Sequence, residues 1–293
     1  MKFFVLLALL ATAQVHAVIS VRDDAGDTVT LQKPARRVIS LAPHVTEALF
    51  AAGGGEYIVG AVNFSDYPEA AKRIPLVGDN RQVDMERVIA LKPDLLVVWL
   101  HGNTARQLEQ LRALGIPLFY SEPRKLDDIP SNLIRLGQLM GTDKEAQQAA
   151  ADFRQKQAGL AAQYGSRPTV RTFYQVWDKP LYTVNGKHII SDVMRLCGGL
   201  NIFPDMKVIA PNIGVEAVLQ EDPEAIISGD QRNQTGGGVT LWKPYATMTA
   251  VKRGNLFSID GDLLNRAGPR ILNGAAQVCE KLEQARQHRK SQP

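Results

Sequence analysis

Hydrophobic positions in the first half of the chain come in two alternating kinds of run. Short, largely apolar stretches, "RVISL" (37–41), "YIVGAV" (57–62), "DLLVVW" (94–99) and "IPLFYS" (116–121), read as strands buried on both faces. Between them the apolar residues follow helical spacing: Leu41, Val45, Ala48, Leu49 and Ala52 in "APHVTEALFAAGGG", where the glycines stop the helix; then "MERVIA"; then Leu108, Leu111 and Leu114 in "NTARQLEQLRALG". Strands alternating with helices predict βα units and a parallel sheet with helices outside. The pattern restarts at "TVRTFYQVW" (169–177). It continues through an arm and helix in "LYTVNGKHIISDVMRLCGG", the strands "NIF", "AIIS" and "NLFSID", and a closing helix, "PRILNGAAQVCEKLEQARQH". "GDQRNQTGGG" (229–238) is expected to be a flexible surface loop, and the tail "RKSQP" to fray.

The restart carries a repeat. "MERVIALKPDLLVVW" (85–99) and "VEAVLQEDPEAIIS" (215–228) both set a Glu before an apolar helical stretch and a Pro-acid pair seven residues later. Glu86 and Pro93 recur as Glu216 and Pro223 at a common offset of 130 residues. Self-similarity at this spacing predicts two lobes of one design. A repeat needs only its apolar residues to rebuild a core, so the recurring Glu calls for a separate reason. One is local: a Glu in a helix's first turn complements the helix dipole, worth about 0.3–1 kcal/mol. Asp84 fits that account as a cap in the first copy, but Gly214 stands in its place in the second while the Glu persists.

Residues 127–164 break the alternation and are almost wholly helical in character, with Gly141-Thr142 ahead of the longest run. From Lys144 to Tyr164 only Gly159 interrupts a run free of Gly and Pro, about 30 Å of helix at 1.5 Å per residue. Much of its surface is polar, and it sits between the two repeats, so it is read as a rigid connector. The expected architecture is α/β: two Rossmann-like parallel-sheet lobes joined by a single long α-helix, with a ligand cleft between them. The divisions are 1–17, 18–142, 143–165 for the connector, and 166–293.

The first of these is a leader. "MKFFVLLALLATAQVHA" has one Lys, an apolar run of about ten residues and a small-residue cleavage site, which marks a secretory signal peptide cut after Ala17. The run is too short for a bilayer, which needs roughly 20 residues, and no Cys follows it to carry a lipid. Cleavage leaves 276 of the 293 residues and takes the formal charge from +4 to +3. So small an excess, with acids and bases interspersed, offers nucleic acid no basic stripe. A soluble, periplasmic, monomeric protein is expected. Its two cysteines, Cys197 and Cys279, suggest one disulfide in an oxidising compartment, with two buried thiols as the alternative.

No G-x-S-x-G elbow, P-loop or G-x-G-x-x-G occurs. His44 and Glu47, three apart on one helix, form at most half a metal site, since zinc usually takes three protein ligands; His44 reads better as a helix-start or cleft residue. An exported two-lobe chain without a catalytic constellation points to a binding protein. Ligands of open α/β sheets sit outside the carboxyl ends of the strands. Loop residues just past the strands are therefore the candidates: His44, Phe64, Tyr67, Asn80, Arg81, Trp99 and His101 from the first lobe, and Trp177, Tyr182, Asp262, Asn265 and Arg266 from the second. The set suits a large, flat, partly apolar ligand.

"RVISLAPHVTEALFAAG", "SDYP", "ERVIALKPDLLVVW", "LCGGLNIF" and "RAGPRI" resemble the iron-siderophore/vitamin B12 class of periplasmic solute receptors for ABC importers. The resemblance runs from about residue 36 to 285, and "LKPDLLVVW" with "SDYP" is specific for the class. It implies two α/β lobes joined by one long helix, a second-lobe disulfide at Cys197 and Cys279, and no catalysis and no cofactor beyond the carried ligand. It also implies corrinoid contacts at Trp99, Tyr182, Asp262 and Arg266, with Phe64 where the B12 receptors have Tyr. Those receptors have Trp where this chain has Asn80 and Ala210; Trp177 and Arg81 are candidates to compensate. By the same resemblance Glu86 and Glu216 dock against Arg residues of the membrane-spanning subunits, one acid per lobe for an importer with two related halves. The expected cargo is cobalamin or a related corrinoid. The competing expectations are a ferric siderophore or haem, a haem or metal-ion receptor using His44 and His101, and an exported α/β hydrolase without its usual motif.

Overall fold

The computed structural model describes residues 18–79, 82–230 and 238–290. Residues 1–17, expected to be a leader, Asn80, Arg81, most of the 229–238 loop and residues 291–293 lie outside the described residues. The chain opens with an antiparallel hairpin, β1 (Ile19–Arg22) and β2 (Thr28–Leu31), which the sequence analysis did not assign. The first-lobe sheet contains β3 (Val38–Ser40), β4 (Ile58–Ala61), β5 (Leu95–Val98) and β6 (Leu118–Tyr120), all parallel, in the order β4-β3-β5-β6. Helices α1 (Pro43–Ala51), α2 (Met85–Ala90) and α3 (Ala105–Ala113) connect them. Then come α4 (Asp128–Met140) and the 22-residue α5 (Asp143–Tyr164).

The second lobe adds β7 (Val170–Gln175), a short antiparallel hairpin of β8 (Trp177–Asp178) and β9 (Leu181–Tyr182), α6 (Ile189–Leu196), β10 (Gly199–Asn201), α7 (Val215–Glu221), β11 (Ala225–Asp230), α8 (Thr249–Lys252), β12 (Leu256–Asp260), α9 (Gly261–Leu264) and α10 (Ile271–Lys290). Its parallel sheet has the order β10-β7-β11-β12. Counting sheet strands in chain order, both lobes read 2-1-3-4. α2 and α7 occupy the same place in each, just before the third strand.

The repeat extends to single contacts. Val88 and Val218 are both fully buried under their helices. Lys92 and Asp222 both take the left-handed turn (φ 47° and 40°) that ends the helix and leads into the Pro. Asp94 Oδ1 accepts from Arg37 N at 2.9 Å and Glu224 Oε2 from Arg171 N at 3.1 Å, fastening the first strand to the third. Arg37 and Arg171 in turn donate to carbonyls at the helix C-termini, Leu91 O at 2.6 Å and Glu221 O at 2.7 Å. Each acts as a basic group on a helix's negative end. Glu86 and Glu216 take no part in this fastening and are exposed.

Strand alternation sorts the core. Leu95 and Val97 of β5 and Ala225 and Ile227 of β11 face one hydrophobic cluster that runs through both lobes under α4, α5, α6 and α10. Leu96 and Val98 face a cluster private to the first lobe, and Phe173 and Ile226 one private to the second. The long helix therefore does not act alone: it packs on α4, and Leu126 N donates to Asp192 Oδ2 of α6 at 2.9 Å. The strand expected at "NIF" (201–203) lies earlier, at Gly199–Asn201, where the backbone pairs with Val170–Thr172 of β7. The closing helix reaches Lys290, two residues into the tail expected to fray. No described helix is long and apolar enough to cross a membrane.

Cys197 at the end of α6 and Cys279 on α10 form a disulfide in the shared core, both fully buried. It closes a loop of 82 residues, so its removal costs about 2–4 kcal/mol, chiefly through the unfolded chain. Denaturant unfolding of oxidised and reduced protein measures this. Native, non-reduced protein should yield no alkylatable thiol.

Candidate functional site

The carboxyl ends of both sheets feed a common cleft. In the first lobe Ser40, at the end of β3, hydrogen-bonds Thr46 of α1 at 2.7 Å, and Thr46 reaches Ser65 at 2.9 Å. This buried hydroxyl chain fastens the "FSDY" loop to the start of α1. Next to it Phe64 holds a left-handed backbone (φ 66°) and is 67% exposed. A non-glycine residue in that region carries strain of order 1–3 kcal/mol, which marks functional loops. Past β5, Trp99 lies over Gly102 so closely that a Cβ there would fall 1.8 Å from its ring, and it meets His44 edge-on with centroids 5.3 Å apart.

A narrow cavity separates the lobes, lined by His44, Trp99 and Arg124 on one side and Lys187, His188 and Ile209 on the other. Ile209 belongs to a loop after β10 in which Met206 and Val208 are exposed as well. That loop also carries Ala210, where the resemblance would place a Trp.

Beside the cavity the lobes are clasped by charge. Arg266 Nη1 lies 3.1 Å from Glu47 Oε1 and 2.9 Å from Asp66 Oδ1, and its Nη2 lies 3.0 Å from Asp262 Oδ1. Arg270 holds the same Glu47 by two bonds, Nη2 to Oε1 at 2.6 Å and Nε to Oε2 at 2.9 Å, and covers the Tyr67 ring at 4.0 Å. Glu47 is 3% exposed. Burial works against the Arg266 charge, but the hydrogen bond to Asp66 and the charge of Asp262 outweigh it and hold the guanidinium protonated. For Arg270 the hydrogen bond to Glu47 is the chief cause of the same upward shift.

The structure thus brings Tyr67, Asp262 and Arg266 into one cluster and Trp99 into the cavity wall. Trp177 and Tyr182 are Cα partners in the β8–β9 hairpin, with Trp177 Nε1 donating to Lys179 O at 3.0 Å; they do not line the cavity. His101 sits outside it on Glu122, its Nδ1 3.2 Å from Oε2. Asn265 lines it. Asn80 and Arg81 lie outside the described residues. Glu47 does not share a metal with His44, since both its oxygens are taken by arginines, and no metal-binding group of three acids, histidines or cysteines occurs among the described residues. Sequence reasoning missed the pairing of Glu47, Asp66 and Arg270. Its one local signal is Arg266 and Arg270 at i, i+4 in "RAGPR".

The sequence profile of the periplasmic binding protein family matches residues 38–263. The chain belongs to that family. Among periplasmic binding proteins it is 37% identical over 257 residues to the vitamin B12-binding protein of Vibrio parahaemolyticus, covering 88% of this chain and 93% of the relative. It is 40% identical over 248 residues to that of Yersinia pestis, covering 85% and 86%. The crystal structure of the periplasmic vitamin B12 binding protein of Vibrio cholerae superposes with a TM-score of 0.79 at 37% identity, covering 86% of this chain and 98% of that one. A periplasmic heme binding protein from Pseudomonas aeruginosa superposes with a TM-score of 0.71 at 29% identity, covering 84% and 91%. These solute-binding relatives share the two-lobed α/β fold.

Two stability effects follow from the site. Glu47→Ala leaves Arg270 without its acid and strips one from Arg266, so stability should fall by about 3–5 kcal/mol in denaturant titration, the cost of breaking a buried pair. Burial lowers the pKa of both His44 and His188 to about 4. The unfolded chain then binds the extra protons between pH 6.5 and 4. The stability conferred by the two neutral rings is full above about pH 6.5, falls as pH is lowered, and is gone below about pH 4, on the order of 3 kcal/mol per ring. His188→Asn, which keeps an acceptor for Ile190 N, should flatten roughly half of that pH dependence.

Proposed function

We propose that this periplasmic binding protein is an exported receptor of an ABC importer that captures cobalamin or a related corrinoid and delivers it to the membrane permease. The carrying observation is the cleft. Two sheets of identical order turn their strand ends toward one another across aromatic, apolar and cationic loops, in a chain 37–40% identical to vitamin B12-binding proteins. A corrinoid is large, flat, apolar on its faces and rimmed with amides. Trp99, Phe64 and the Met206–Ile209 loop offer it apolar surface, and Trp177 with Tyr182, paired across the β8–β9 hairpin, an aromatic edge. Arg266 and Asp262 offer donor and acceptor once the clasp yields. The protein performs no chemistry, carries no cofactor of its own, works as a monomer, and reaches the periplasm after removal of residues 1–17.

Haem is the second reading. One observation favours it: a neutral imidazole, that of His44, stands in the cavity wall. The test is calorimetric titration of mature protein with cyanocobalamin, cobinamide, haemin and a ferric hydroxamate. One-to-one corrinoid binding with quenching of Trp99 emission is expected. Binding of haemin or of the ferric chelate alone would replace the corrinoid assignment.

Glu86 and Glu216 are read as the docking acids. Both are exposed, both lie in the first turn before the third strand of their lobe, and neither is needed for the fastening that surrounds it. Reversing both to Lys should leave cargo affinity unchanged and reduce stability by about 1 kcal/mol or less per site. Uptake should be abolished, since reversing interfacial charge partners costs about 2–5 kcal/mol. Normal uptake by the double variant would leave the two acids as helix-start residues only.

A further inference from the structure

Two cations border the cavity from opposite lobes. Arg124 stands in the loop between β6 and α4, and Lys187 in the loop that leads into α6; both line the cavity and both are exposed. Among the described residues neither side chain makes a hydrogen bond or an ion pair. The carboxylates around them are committed elsewhere. Glu122 Oε2 accepts from His101 N at 3.1 Å and lies 3.2 Å from its Nδ1. Asp128 Oδ2 accepts from the backbone N–H groups of Arg124 and Lys125, each at 2.9 Å. Asp192 pairs with Arg195 at 2.9 Å and accepts from Leu126 N at 2.9 Å.

These bonds fix the backbones from which the two cations extend. Asp128 pins Arg124. Asn185, 1% exposed, accepts from Lys187 N through Oδ1 at 2.9 Å and donates from Nδ2 to Met206 O at 2.8 Å. The bond from Leu126 N to Asp192 Oδ2 then stitches the two segments together across the lobes, just past Arg124 on one side and in the first turn of α6 on the other. The charge of the lining is left unbalanced. Glu122 is its one carboxylate, and burial keeps both of its histidines neutral. Like charges drawn into one narrow space repel, more strongly as water is excluded. An anion between them removes that cost. An oxyanion fits best, since Arg presents a planar fork of donors to two oxygens and Lys a compact point charge. A narrow space accepts a phosphate or carboxylate at the edge of a larger molecule, with the bulk of that molecule outside. The clasp is the opposite case, because there the protein supplies Arg266 and Arg270 with acids of its own.

We propose that Arg124 and Lys187 form a two-lobe oxyanion site that takes the anionic group of the cargo: the phosphodiester of cobalamin's nucleotide loop, in the corrinoid reading on which this inference rests. The ring itself stays outside this space, against the aromatic and apolar loops. The site separates complete cobalamin from cobinamide, which lacks the nucleotide loop and with it the phosphate. Because one cation comes from each lobe, the bound anion also bridges the cleft.

The probes are cyanocobalamin and dicyanocobinamide, titrated calorimetrically into wild type, Arg124→Gln, Lys187→Gln and the double variant. Both side chains are exposed and unbonded, so all three variants should unfold at the wild-type denaturant concentration. Wild type should bind cyanocobalamin roughly tenfold more tightly than cobinamide, about 1.4 kcal/mol. Each single variant should lose roughly threefold in affinity for cyanocobalamin, and the double should fall to the level of cobinamide. Affinity for cobinamide should stay unchanged in all of them. Added salt should weaken cyanocobalamin binding to wild type and not to the double variant. Equal affinity of wild type for the two corrinoids, or equal losses for both in the variants, overturns the oxyanion site and leaves the receptor reading intact. If wild type binds neither corrinoid but takes haemin, the corrinoid reading falls. A preference for haemin over its dimethyl ester, lost in the double variant, then keeps the oxyanion site with carboxylates as its ligand; no such preference overturns the site as well. Binding of none of these molecules overturns both.

Discussion

A strand in the interior of a parallel sheet must bury both faces, and in this protein that constraint organises the rest. Each central strand sends alternate residues to two cores. One is private to its lobe; the other is shared with the partner sheet through α4, α5, α6 and α10. The shared core joins the lobes along a broad apolar contact instead of at a hinge, and the disulfide between α6 and α10 lies within it. With both sheets held against one set of helices, their carboxyl ends meet across the cleft. Relative motion is thereby confined to the loops and to small adjustments of packed helices.

The clasp of Glu47, Asp66 and Asp262 with Arg266 and Arg270 stands at the mouth of this rigid frame. Ion pairs so poorly exposed gain strongly from their partners and lose heavily when one is removed. A cargo that takes Arg266 or Asp262 must therefore supply comparable hydrogen bonds, as a rim of amides does. The same accounting applies to His44 Nε2 and Asn265 Nδ2, buried atoms of two cavity-lining residues that have no hydrogen-bond partner. Polar groups that the protein does not pair internally are where a ligand gains most, because the desolvation cost has already been met on folding.

The two exposed glutamates depend on the frame in another way. Each sits at the start of a helix whose end is fixed by an Arg at the first sheet strand of its lobe, a left-handed turn and a Pro-acid pair. These local fastenings place one acid at the corresponding point of each lobe. Because the lobes share a core, the separation of the two acids is set by the same packing that sets the cleft. A permease that reads both at once would read the geometry of the whole receptor, not one patch of it.

Much of this was legible in the chain itself. Largely apolar runs at 37–41, 94–99 and 225–228 marked buried parallel strands, because a strand covered on both faces shows no polar alternation. The 130-residue offset between Glu86 and Glu216 marked two lobes, since a repeat of apolar spacing rebuilds the same core twice. Trp99, Tyr67, Asp262 and Arg266 were locatable as cleft candidates because each follows a strand end. What the chain could not display was partnership. Glu47 and Arg270 are 223 residues apart, and nothing local to either announces the other. The His44 ring looked like a helix-start residue or half a metal site until Ser121, Trp99 and the closing lobe surrounded it. The hairpins at 19–31 and 177–182 are too short and too mixed in polarity to stand out by period, and they form only because α4 and the second-lobe loops cover them. Local pattern determined the elements and their order, because burial of apolar surface has a period that a sequence carries. Tertiary structure alone decided which charges meet and which polar atom is left unpaired, because those depend on distances between elements that no spacing along the chain encodes.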